Sequence, residues 1–359
     1  MKMLTTNEKD LLLAAFAKHS GSWEAFCRWN AGVDWNGEIS PEVVRVLPSV
    51  CRNLRGLGHE HPLFPRFMGV DRKIWLENQT VKKNLMEWLP GDRTSHVDGQ
   101  VEFLALPPTS CLFDNELRYP LYRSHLRFAV YSTSEAVRGI RALLDQGWVP
   151  NNGLVLPKRW LEGVVWGMDH LGMHRGQGEW LSLTWRMETW FANRWKEIWD
   201  SSESICLGGK TLRVMGATES MEFVIRQACG GQPFRWLTHV MLMQNSEVDW
   251  EKVRSRLRES PLRSEAVELV RLVEGITDRT ILPEDGLAGG VGGQLGASGE
   301  GTGVINRWKM AWRRYRWSWP EGVSWFRAMG QFPGYVIGRW LEWNRLKRIK
   351  RVGGEGKGA

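Results

Sequence analysis

Cysteine is scarce in this sequence. The five occurrences among 359 residues (Cys27, Cys51, Cys111, Cys206 and Cys229) are odd in number and never form a C-x-x-C pair. That excludes a disulfide framework and a cysteine-built zinc site, and it predicts buried thiols in a reducing cytoplasm. Long apolar runs are also missing: none approaches the roughly 20 consecutive residues that a membrane span needs. Met1 to Asp10 carries no apolar stretch ahead of a small-residue cleavage site, so no secretory signal is expected. There is no G-x-S-x-G elbow, no Cys/His nucleophile pair and no glycine fingerprint of a dinucleotide fold.

Tryptophan is abundant, at 22 residues. The net charge is +8, but it is concentrated in one place. Residues 307–351 hold twelve Lys/Arg against two Asp/Glu, a net +10, whereas residues 1–306 sum to −2. Any attraction to nucleic acid or to an anionic membrane is therefore expected from this tail, with a protein partner as the third possibility. In the tail Trp308, Trp312, Trp319, Trp325, Trp340 and Trp343 alternate with basic side chains. The other expectation for it is that its tryptophans pack back on the body and leave the arginines in water.

Periodicity divides the chain. Residues 1–90 read as helical. Thr6 or Asn7, Ser22 and Ser40-Pro41 are start signals, and a long helix is expected from Pro62 to Trp88. Residues 91–216 read as an α/β core with strands at Val101–Leu106, Leu126–Tyr131 and Glu179–Trp185. A helix from Ser134 to Gly147 and a hairpin about Gly208-Gly209 complete this core. Residues 217–282 are helical again, 283–304 form a glycine-rich flexible linker, and 305–359 form the basic tail. The fold class expected is α+β.

The order of local signatures is more specific than any one of them. Arg118 to Val130 holds a tyrosine and a proline ahead of an apolar strand. Gly147-Trp148 closes the next helix, Leu181-Ser182-Leu183-Thr184-Trp185-Arg186 forms a strand, and Gly208 to Val214 forms a hairpin. Arg235-Trp236-Leu237 and Asp249-Trp250-Glu251 then fall in the helical end. Over about residues 8–280 this order resembles a family of bacterial nucleotidyltransferases, distant relatives of the DNA polymerase β superfamily. The resemblance implies a minimal mixed sheet flanked by helices. It also implies a cytoplasmic protein, possible membrane-peripheral attachment coming only through the tail.

In that family two aspartates, one residue apart on a strand, hold a divalent metal, and a third acid stands on the neighbouring strand. The metal bridges the triphosphate and polarises the attacked phosphorus. The matching positions here are His125, Arg127 and Ser182. Magnesium demands hard oxygen ligands, and a guanidinium in its place costs several kcal/mol at an effective dielectric of about 20. The resemblance therefore implies a degenerate, non-catalytic member with a binding or regulatory role and no cofactor. Arg123, Ser124 and Arg127 are candidates for holding a nucleotide or phosphate. The alternatives are that Arg127 pairs with Glu102 or Glu179, or that Asp114 and Glu116 take over the metal in an enzyme still using Mg2+ and NTP.

Two further patterns carry less. Gly208-Gly209-Lys210-Thr211 resembles the end of a phosphate loop, but Ser204 stands where the first glycine belongs and a strand follows. His170 and His174 have the i, i+4 spacing of a helical zinc pair without the accompanying glutamate, and are expected as a surface or satisfied pair on a helix. His59 and His61 are expected in a solvated loop.

Overall fold

The computed structural model describes residues 4–89, 101–110, 113, 126–151, 161–176, 179–186, 194–229, 233–243, 247–258, 263–277 and 331–340. Among these are twelve helices and one seven-stranded mixed sheet.

Helices α1 (Thr6–Phe16), α2 (Gly21–Ala31), α3 (Pro41–Gly56) and α4 (Phe64–Trp88) open the chain. Thr5, one residue ahead of the predicted start, caps α1 in a reciprocal box with Glu8. Ser40 caps α3, with Pro41 in the first turn. The predicted cap at Ser22 is not observed. Ser20 stands at the N-cap of α2, and Ser22 is buried, donating from Oγ to the Ala17 and His19 carbonyls at 2.7 and 2.8 Å. Asn53 of α3 donates to the Ala14 and Ala17 carbonyls, closing the end of α1. His59 stacks on Trp23 at 4.5 Å between centroids and His61 meets Phe26 edge-on, so both help cover the aromatic cluster.

The fully buried side chains of α4 lie near its two ends. Phe64 and Phe67 lie in the helical core, and Leu85 is buried near the far end. Between Met68 and Asn84 no side chain is buried. At its exit Lys210 donates to the Leu89 carbonyl at 2.5 Å, and Asn84 donates to Glu179 at 2.6 Å. The helix therefore bridges the first helices and the sheet.

The strands are β1 (Leu104–Ala105), β2 (Leu126–Ala129), β3 (Val149–Pro150), β4 (His170–Arg175), β5 (Glu179–Thr184), β6 (Glu203–Leu207) and β7 (Lys210–Val214). Their order is β3-β4-β5-β2-β1-β7-β6, with β2/β5 and β1/β7 parallel and the other neighbours antiparallel. The predicted strand at 101–106 is reduced to two residues. Its flanks still pair, through Arg213 N–H to the Phe103 carbonyl and Leu106 N–H to the Arg127 carbonyl. The expectation that His170 and His174 share a helix is wrong: both lie on β4. Period-2 alternation makes Leu171 and Met173 the buried partners there and leaves the two histidines on the opposite face. Gly208 and Gly209 take φ values of +57° and +81° in a two-residue turn that aligns Leu207 with Lys210, a hairpin and not a phosphate loop.

One face of the sheet, carrying Leu126, Phe128, Leu181, Leu183, Leu171 and Met173, is buried. The sheet unit also includes α5 (Thr133–Asp145), whose N-cap is Ser132, α6 (Leu161–Gly167) and α7 (Trp195–Asp200). Helices α8 (Ala217–Cys229), α9 (Pro233–Met243), α10 (Trp250–Arg258) and α11 (Arg263–Thr277) follow. A buried ion network ties α7, α8 and α10 together. Glu222, fully buried, accepts two bonds from Arg194 at 3.0 Å and pairs with Arg226 and Arg256, while Glu219 pairs with Arg256 and Lys252.

Within the basic tail, residues 331–340 form helix α12, and it packs on α6. A Cβ at Gly163 would overlap the Gln331 carbonyl, one at Gly167 would stand 2.5 Å from the Tyr335 carbonyl, and one at Gly338 would overlap the Val164 carbonyl. Gly163 N–H donates to Gln331 Oε1 at 3.0 Å, and Tyr335 is buried. Two backbones thus touch where side chains are absent on both helices. The rest of the tail, and the linker at 283–304, lie outside the described residues.

Candidate functional site

The sheet face opposite the core is polar and half-open. Alternation along β5 places Trp180, Ser182 and Thr184 on it. The register adds His174, Gly172 and His170 from β4, and Arg127 and Ala129 from β2. Arg127 and Ser182 are direct partners across the parallel β2/β5 pair. Two of the three positions that the resemblance assigns to metal ligands therefore stand side by side, and they are occupied by a guanidinium and a hydroxyl. Arg123, Ser124, His125, Asp114 and Glu116 lie outside the described residues.

Several contacts fix Arg127. Its backbone N–H donates to the buried Thr109 Oγ1 at 2.6 Å, and its carbonyl accepts from Leu106. Its guanidinium carbon lies 5.3 Å from the ring centroid of Trp236 on α9, within cation–π range. The two acids expected as partners are engaged by other groups: Glu102 accepts from Arg213 at 2.8 Å, and Glu179 accepts from Arg175 at 2.7 Å and from Asn84. Trp236 was visible in the sequence as a helical-domain position, but its contact with Arg127 was not. No local pattern announces a pair 109 residues apart.

Across the same face Asn151 lies over Gly172, where a Cβ would stand 2.7 Å from Asn151 Nδ2. Asn151 Oδ1 is 3.2 Å from His174 Nδ1, and the His174 ring sits 5.5 Å from that of Trp180, which is 38% exposed. Thus His174 makes a satisfied surface pair, with asparagine and tryptophan as its partners. Among the described residues no group of three or more His, Cys, Asp or Glu is placed to hold a metal ion. A separate cleft of about 340 Å³ lies in the first helices, lined by Glu8, Trp29, Asp34 and Glu38. The Glu8 and Asp34 carboxylates there already accept bonds from nearby backbone, at Thr5 and Asn36.

Chemically, the polar face offers a cation fixed over an aromatic ring, a hydroxyl beside it, and amide and imidazole groups one strand further on. That set suits an anion and is unsuited to a divalent cation. The chain matches no protein-family model and no curated protein sequence.

Proposed function

We propose that this chain is a nucleotidyltransferase-like protein without nucleotidyl-transfer chemistry, which binds a phosphate-bearing anion where the enzymes bind metal. The finer fold reading, a minimal nucleotidyltransferase sheet, is part of the same proposal. One observation carries it: Arg127 and Ser182 face each other in the β2/β5 register on the half-open side of the sheet. A guanidinium seated there repels a metal ion and attracts a phosphate oxygen. Binding without turnover would make the protein a sensor or regulatory relative of the enzymes.

The test is calorimetric titration of ATP, GTP and inorganic phosphate into metal-free protein. Saturable heat that is lost in Arg127→Ala is expected. No heat and no thermal shift with any of the three overturns the reading. So does magnesium-dependent release of pyrophosphate from a nucleoside triphosphate, which would establish a working enzyme with acids placed elsewhere.

A further inference from the structure

Helix α4 bridges two parts of the fold, and its middle turns bury no side chain fully. A bridging helix of that kind is expected to be polar all round. The apolar side of α4 is accounted for by Phe64, Phe67, Ile74, Val81 and Leu85, which recur at helical spacing on one stripe. On the opposite, open side stands Leu76, 51% exposed, and Trp75, 54% exposed, lies about 100° round the helix on its flank. Leu76 lies at the centre of that side. Arg72 is one turn before it, Lys83 two turns after it, and Lys73 and Trp75 flank it.

The exposed charged residues of α4 are Arg66, Arg72, Lys73, Lys83 and Glu87, a net +3. Among the described residues Arg72, Lys73 and Lys83 have no ion pair, and Trp75 has no ring contact. Of the acids on α4, Asp71 turns to Arg52 at 3.7 Å, Glu77 is half-buried next to Leu76, and Glu87 is exposed one turn beyond Lys83. An exposed apolar residue with cations around it that form no ion pair among the described residues is the pattern of an interfacial helix.

We propose that the open side of α4 docks on an anionic phospholipid surface. Trp75 and Leu76 enter the headgroup boundary, and Arg72, Lys73 and Lys83 meet the lipid phosphates. Three observations choose this occupant. The positive charge opposes a second copy of the same face. The tryptophan beside an equally exposed leucine suits the interface, where an indole has one wet and one apolar side. A nucleic-acid strand would use the cations and the indole for backbone and stacking, but it gives Leu76 no partner. This surface is separate from the polar sheet face and does not depend on the function proposed for it.

The experiment is co-sedimentation of the full chain with phosphatidylcholine vesicles, with and without phosphatidylserine. Binding is expected only with phosphatidylserine, and it should weaken as salt is raised. Trp75→Ser with Leu76→Ser is expected to lower the partition coefficient at least about tenfold. Neutralising Arg72, Lys73 and Lys83 to Gln should lower it by roughly fivefold per charge. All five side chains are exposed, so the variants should melt as the parent does. No sedimentation of the parent overturns the proposal, as does sedimentation unchanged in both variants. Fluorescence anisotropy of a labelled single-stranded RNA is the other arm. Binding there that is lost in both variants, without vesicle binding, assigns the surface to nucleic acid and also overturns the proposal.

Discussion

Arg127 and Trp236, 109 residues apart, lie 5.3 Å from guanidinium carbon to ring centroid. The contact joins the sheet to the helical end of the chain at the edge of the polar face, and it holds the cation in one orientation. The ring face supplies attraction without neutralising the charge. Removing the ring should therefore weaken anion binding less than removing the charge. Trp236→Leu is expected to raise the dissociation constant for ATP a few-fold and Arg127→Ala to abolish measurable binding. Arg127→Lys should fall between them, because it keeps the charge and loses the paired donors. Calorimetry on the three variants checks the order, and equal losses in all would mean that Trp236 acts through folding alone.

The α6–α12 contact makes a second prediction. Gly163, Gly167 and Gly338 are the positions at which the two backbones meet, and a side chain at any of them must separate the helices. Overpacking of this kind costs about 1–3 kcal/mol, more where backbone cannot shift. Gly338→Leu should therefore lower Tm and make the chain after Thr277 sensitive to limited proteolysis. Truncation after Gly286, which deletes α12, should lower Tm as well by uncovering α6. An unchanged melting curve in both would show that α12 adds nothing to the fold.

Glu222 provides the third. It is fully buried and bonded to Arg194, Arg226 and Arg256. Deleting one partner of such a network leaves the others charged and desolvated. Glu222→Gln should cost about 3–5 kcal/mol in chemical denaturation. Arg194→Met alone should cost less, because that side chain reaches solvent and Arg256 still serves Glu222. A double substitution that costs less than the sum would show the coupling.

The helices were legible where local chemistry decides them. Ser40-Pro41 marks the start of α3, and Gly147 closes the turn after α5 with a φ of +84°. The misreadings arise where local pattern leaves more than one structure open. Thr5 and Ser20 supplanted the predicted caps because polar residues crowd each start, and only the path of the chain selects among them. The i, i+4 histidines of β4 fit a helix and a strand equally, because residues four apart share a face in both. The tail was read for its charge and its tryptophans, and the role of Gly338 emerges only from its contact with α6, which needs a partner without side chains there. At the site, the sequence put a cation beside Ser182 through the resemblance alone. The register that makes them neighbours and the ring that holds Arg127 are long-range facts.

His239 gives the last prediction, on pH. It lies in α9 beside Trp236, at 5.2 Å between rings, and is buried. Burial, assisted by the nearby charge of Arg45, lowers its pKa from 6.5 to about 3. The neutral form is therefore the one that folds. Between pH 6.5 and 3 the unfolded chain binds a proton at this position that the folded chain does not, so stability should rise with pH across that window and be lost on acidification. By pH 5 the expected loss is about 2 kcal/mol from this residue alone. Glu219 and Glu197 also favour the ionised form when folded: desolvation opposes it, but the charges and hydrogen bonds of Arg256, Lys252 and Arg194 prevail and lower both pKa values. Their contribution is present above the ordinary glutamate range and fades only as pH falls below about 4.5, so between pH 7 and pH 5 the histidine effect stands apart from theirs. Thermal melts from pH 7 to pH 5 should show a falling Tm in the parent. His239→Phe, which fills the site with a ring that does not titrate, should flatten that slope while leaving the steeper fall below pH 4.5 in place. A parent that melts at the same temperature at pH 7 and pH 5 would place His239 in contact with water, against the burial on which the argument rests.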